Sequence, residues 1–161
     1  MKVSLISLGC PKNQVAAEQM LAALAAAGHE ITPDPAEAEA VVVNTCAFIE
    51  DAKQEAIDTL LEAAQLKGGR LKTLLCAGCL AQLYGGEVMS ELPEVDGVVG
   101  VGSCDKIAAA LSSAARGERP VYMDPNDAPV QEAERLVCTG PAWAYLLIAE
   151  GCDNRCSYCL I

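Results

Sequence analysis

Three cysteines, Cys152, Cys156 and Cys159, fall within the stretch EGCDNRCSYCLI. As thiolates they are soft ligands, suited to zinc or to iron-sulfur clusters. A C-x3-C-x2-C spacing after a strand can wrap a cubane cluster, in which every iron needs an outer ligand. Three sulfurs leave one iron open, and an open position marks a catalytic metal site, whereas structural sites are closed. Zinc is the rival reading. Its tetrahedral site wants a fourth protein ligand, and the one histidine of the chain, His29, is remote in sequence within a predicted strand. The placement of the triplet favours iron-sulfur binding.

The other six cysteines depend on the elements that carry them. Short β-branched runs alternate with Ala-rich segments: VSLISL is a predicted strand, QVAAEQMLAALAAAG a helix closed by Gly28, HEITP a short strand and AVVVNT a further one. A helix from about Phe48 to Lys67 follows, ended by Gly68 and Gly69, then the strand LKTLLC and a helix from after Cys79 toward Leu92. DGVVGVG and CDKIAAALSSAARG give a last strand and helix. This alternation predicts an α/β fold, a Rossmann-like or flavodoxin-like parallel sheet with helices on both faces. From Val121 the composition shifts to Pro, Asp, Asn and Glu, so residues 121–141 read as a linker between a domain over 1–120 and a second unit over 142–161. Within the latter, Ala142 to Ala149 (AWAYLLIA) reads as the opening strand.

Ligands of open parallel sheets bind beyond the carboxyl ends of the strands. Cys10, Cys46 and Cys79 each follow a predicted strand, so topology can bring them to one sheet edge, provided the strand order keeps those strands together. Cys76 lies inside its strand and reads as a small buried hydrophobe. Cys104, at a strand end, reads mainly as buried, and Cys138, in the linker, as incidental.

Composition narrows the functional classes. At 161 residues and 52% hydrophobic content, one buried core is expected. The net charge of -11 disfavours a nucleic-acid phosphate backbone as the partner of this segment and suits a basic one, although acidity also serves solubility. Nine cysteines behind a start with too short an apolar run for a secretory signal argue for metal or redox chemistry in a cytoplasmic protein rather than for disulfides. No stretch approaches the ~18 apolar residues of a membrane span.

The sequence resembles the radical S-adenosylmethionine (SAM) methylthiotransferases, through EGCDNRCSYCLI and through LGCPKN (Leu8 to Asn13), NTCAFIEDAKQEAI (Asn44 to Ile57) and AGCLAQLY (Ala77 to Tyr84). LGCPKN and ELPEVDGVVGVG are similar to the RimO-type branch, which modifies an aspartate of ribosomal protein S-twelve. The resemblance implies two 4Fe-4S clusters: Cys10, Cys46 and Cys79 as ligands of the first, and Cys152, Cys156 and Cys159 as ligands of the second. It further implies that the second cluster binds SAM and, on reduction by an external electron donor, yields a radical that takes hydrogen from the β-carbon of the aspartate. The first cluster then carries the methylated sulfur that is added. Tyr158 corresponds to an aromatic position near the adenine of SAM, or packs under the loop.

The family continues into a partial barrel and a substrate-binding β-barrel, so these 161 residues are expected to fold as its N-terminal part with little turnover. Ala16, Ala17 and Leu83 depart from residues usual in the family and bear on contacts around the first cluster. The alternatives are a tRNA methylthiotransferase of the MiaB type, a non-catalytic iron-sulfur module, and a doubly wound domain with core cysteines.

Overall fold

The computed structural model describes residues 1–125, 133–149, 151–154, 156 and 157. Among these, the strands form one six-stranded sheet in the order β2-β1-β3-β4-β5-β6, and each adjacent pair is parallel. They are β1 (Lys2–Ser7), β2 (Glu30–Ile31), β3 (Ala40–Thr45), β4 (Thr73–Gly78), β5 (Gly97–Val99) and β6 (Val121–Tyr122). The helices are α1 (Pro11–Ala26), α2 (Glu50–Gln65), α3 (Cys79–Glu91) and α4 (Ile107–Ala115). None of them is long and apolar enough to cross a membrane.

β3 and β4 are buried at every position, as strands covered on both faces must be. Side chains of β3, β4 and β5 alternate between two cores. Val41, Val43, Leu74, Cys76 and Val98 pack with Ala56, Leu60, Ala63, Leu80 and Val88 of α2 and α3. Ala40, Val42, Leu75, Ala77 and Val99 pack with Met20, Leu24, Ile107 and Leu111 of α1 and α4. The predicted α/β sandwich is therefore the observed one.

Two segments differ from the sequence expectation. Val121 and Tyr122 pair with Val98 and Val99, so the sheet takes in two residues that composition places in the linker. Ala142–Ala149 is not a strand: these residues form no ladder and are largely exposed, with Leu146 at 82% and Ile148 at 87%. A strand needs a neighbouring strand to satisfy its backbone groups, and among the described residues no strand pairs with this segment. A smaller difference follows β5, where a 3-10 turn over Val101–Lys106 carries Cys104 before α4 begins.

Candidate functional site

The strand order seats β1, β3 and β4 side by side, so Cys10, Cys46 and Cys79 emerge from three neighbouring strands at one carboxyl edge. The order reverses between β1 and β3, which opens the crevice where such sheets bind ligands. Cys10 caps the first turn of α1, with Pro11 at the first helical position, and Cys79 opens α3. Helix N-termini carry partial positive charge. Cys10 is exposed, Cys46 buried and Cys79 half-buried.

Two glycines let these loops close. Gly9 has φ +92, and a Cβ on it would stand 2.7 Å from the Cβ of Cys46 and 3.1 Å from its Sγ. Gly78 has φ +89, and a Cβ there would meet the carbonyl of Thr45 at 2.5 Å and Asn44 Oδ1 at 2.6 Å. Both positions combine a left-handed backbone with close approach, which only glycine accepts.

Asn13, 5% exposed, joins the three loops. Its Nδ2 donates to the carbonyls of Leu8 and Thr45, each at 2.9 Å, and its Oδ1 lies 3.9 Å from Cys79 Sγ. Asn44 Nδ2 donates in turn to the Asn13 carbonyl at 2.8 Å. Among the described residues, Asn44 Oδ1 is buried without a hydrogen-bond partner, an orphaned acceptor next to Gly78 at the cysteine edge. Neither asparagine was marked by spacing; both sit inside the quoted motifs LGCPKN and NTCAFI.

The donor set of this edge fits an iron-sulfur cluster: three thiols, two helix N-termini, and backbone brought close by glycine. As placed, no three Cys, His, Asp or Glu side chains among the described residues form a group that could hold a metal ion. A shared ligand set would require these side chains to move from their placed positions. His29 stands at the opposite, amino end of the sheet before β2, and burial lowers its pKa. It cannot complete a zinc site at this edge.

The remaining cysteines separate by environment. Burial pushes the Cys76 thiol up to about 12, with a smaller opposing effect from the Thr45 hydroxyl, which leaves it an inert core residue. Cys104 Sγ lies 3.8 Å from the Gly100 carbonyl. Cys152 and Cys156 are exposed, with Asn154 Nδ2 3.5 Å from Cys152 Sγ. Cys159 and Tyr158 lie outside the described residues. Of the departures from the family pattern, Ala17 is buried, Ala16 half-buried and Leu83 47% exposed.

The profile of a family described as "Uncharacterized protein family UPF0004" matches residues 2–100, which include Cys10, Cys46 and Cys79. Similar curated proteins carry the name "Ribosomal protein uS12 methylthiotransferase RimO". One from Pelotomaculum thermopropionicum is 49% identical over 99% of this chain and 36% of its own length. Another from Syntrophomonas wolfei is 47% identical over 100% of this chain and 37% of its own length. A third, from Desulforudis audaxviator, is 48% identical, again over 99% and 36%. The chain thus spans little more than a third of the length of these relatives.

Proposed function

Because the chain belongs to the family described as UPF0004, we propose that it is the N-terminal part of a radical SAM methylthiotransferase that adds a methylthio group to the β-carbon of an aspartate in ribosomal protein S-twelve. The observation that carries this reading is the arrival of Cys10, Cys46 and Cys79 at one carboxyl edge, from strands that the fold makes neighbours. The names of the similar proteins support the ribosomal substrate over tRNA. A net charge of -11 suits a basic protein partner.

In this reading residues 1–122, which include the sixth strand of the sheet, form the domain that would hold the first 4Fe-4S cluster, through Cys10, Cys46 and Cys79. Residues 123–141 link it to the start of the radical SAM unit, where Cys152, Cys156 and Cys159 would hold the second cluster and Tyr158 would serve SAM. The clusters supply electron transfer, SAM cleavage and the sulfur to be transferred, which no side chain provides. The chain's own residues position and shield. Gly9 and Gly78 let the loops approach, Asn13 ties the Cys10 and Cys46 loops through the Leu8 and Thr45 carbonyls, and the N-termini of α1 and α3 turn partial positive charge toward this edge. The enzyme works in the cytoplasm with an external electron donor.

Anaerobic reconstitution with iron and sulfide tests the reading. The parent chain is compared with a Cys10→Ala, Cys46→Ala, Cys79→Ala variant, and iron is counted per chain. Loss of about four irons in the variant is expected. Equal iron in both chains would remove the first cluster from the proposal.

A further inference from the structure

Glu18 lies in the middle of α1, about 12 Å along the helix from Cys10. Its side chain is 0% exposed, and nothing in the proposed chemistry uses it. Buried carboxylates persist where they are paired and hydrogen-bonded. Arg135 supplies a two-pronged contact to Oε2 through Nη2 and through Nε, the latter at 3.1 Å. The Cys138 N–H donates to Oε1 at 3.0 Å, and Gln14 Nε2 reaches the same oxygen at 3.2 Å. The Glu18 carbonyl accepts from the Leu136 N–H at 3.0 Å. Except for Gln14, these donors come from a segment more than a hundred residues later in the chain.

The grip continues beyond the carboxylate. Arg135, 20% exposed in its side chain, donates Nη1 to the Tyr145 carbonyl at 2.7 Å. One guanidinium therefore ties α1 to two points on the segment that leads to Cys152. The planar guanidinium reaches one carboxylate oxygen with two donors and the Tyr145 carbonyl with a third, a fixed arrangement that a compact ammonium does not reproduce.

We propose that Glu18 is a positioning residue: through Arg135 and the Cys138 backbone it anchors the segment leading into the second cysteine motif on the helix that begins at Cys10, so that α1 sets the spacing between the two cysteine sets. The anchor itself stands on geometry; the purpose assigned to it rests on the two-cluster reading above.

Two measurements on the full 161-residue, metal-free chain test it, with parent, Glu18→Gln and Arg135→Lys forms. First, trypsin cleavage after Arg135 is timed in the parent and Glu18→Gln chains, with cleavage after exposed Arg116 as internal reference. Glu18→Gln is expected to speed cleavage after Arg135 about tenfold and to leave the reference site unchanged; parallel acceleration at both sites would mean general unfolding and overturn the anchor. Second, spin labels on Cys10 and Cys152, with the other cysteines replaced by Ala, report the distance between the two sets. A narrow distribution in the parent that broadens in both variants is expected. Faster cleavage with an unchanged distribution would reduce Glu18 to a local clamp and overturn the positioning role, as would no change in either measurement. Neither readout involves iron, so failure of the cluster reading in reconstitution is separable from failure here.

Discussion

The backbone of Gly9 lies so close to Cys46 that a Cβ at position 9 would stand 2.7 Å from the Cβ of the cysteine. The contact joins the loop after β1 to the loop after β3, across the point where the strand order reverses. Gly9→Ala adds that Cβ at a φ of +92, where an L-residue costs about 1 to 3 kcal/mol. The backbone of residues 8–10 must move away from Cys46. Urea unfolding is expected to register that loss of stability, and iron bound at the first edge is expected to fall in the same variant. Full stability with full iron would show that the approach of the two loops is dispensable.

Asn13 ties the cysteine loops by hydrogen bonds alone. Both Nδ2 protons are committed to carbonyls, of Leu8 and Thr45. Asn13→Ala strands two acceptors at the crevice, and a loss of about 2 to 4 kcal/mol is expected. Asn13→Asp keeps the size but sets a carboxylate oxygen against a carbonyl, so it is expected to be the worse of the two. Chemical denaturation ranks the pair, and the reverse ranking would show that size rather than hydrogen bonding holds the loops.

Acid provides a third check. Burial raises the Glu18 carboxyl pKa, but the hydrogen bonds from Cys138, Arg135 and Gln14, with the charge of Arg135, outweigh it and hold the carboxyl below its ordinary 4.5. A carboxyl depressed in the folded state stabilises fully above its unfolded value, and that stability is lost as pH falls through the folded value. The Cys138 thiol beside it does not titrate in this window, since burial together with the Glu18 charge pushes it up. The stability gap between parent and Glu18→Gln is therefore expected to be largest above about pH 5 and to close as the solution is acidified below the ordinary carboxylate range. A gap constant across that range would mean that the carboxylate charge contributes nothing.

The fold was readable because its signals were local. β-branched runs such as AVVVNT, and glycines at helix ends such as Gly28, mark strands and caps without knowledge of their neighbours. The cysteine edge was readable one step further, since parallel topology places loops after strands on one side. Three features were not readable, and for physical reasons. Ala142–Ala149 has the apolar texture of a strand, yet strand formation depends on a partner that composition does not reveal. Asn13 and Glu18 lie on an Ala-rich helix with little amphipathic contrast, so the face that turns inward was hidden; Glu18 reads as a surface charge until Arg135 is seen against it. Cys138 read as incidental because its side chain was considered, whereas its backbone N–H is the group that matters.

The order of the strands also bears on biosynthesis. β1, β3 and β4, with the cysteines that follow them, all lie within the first 79 residues, and β4 pairs with β3 along its full length before β5 adds at its other side. Strand pairing that is non-local in sequence must precede any gathering of the thiols. Once it has occurred, the first cysteine edge is complete, and Cys152 lies more than seventy residues further along the chain. Because domains fold from the N-terminus as the chain emerges, the two cysteine sets are presented one after the other, the Cys10, Cys46 and Cys79 edge before the motif that begins at Cys152.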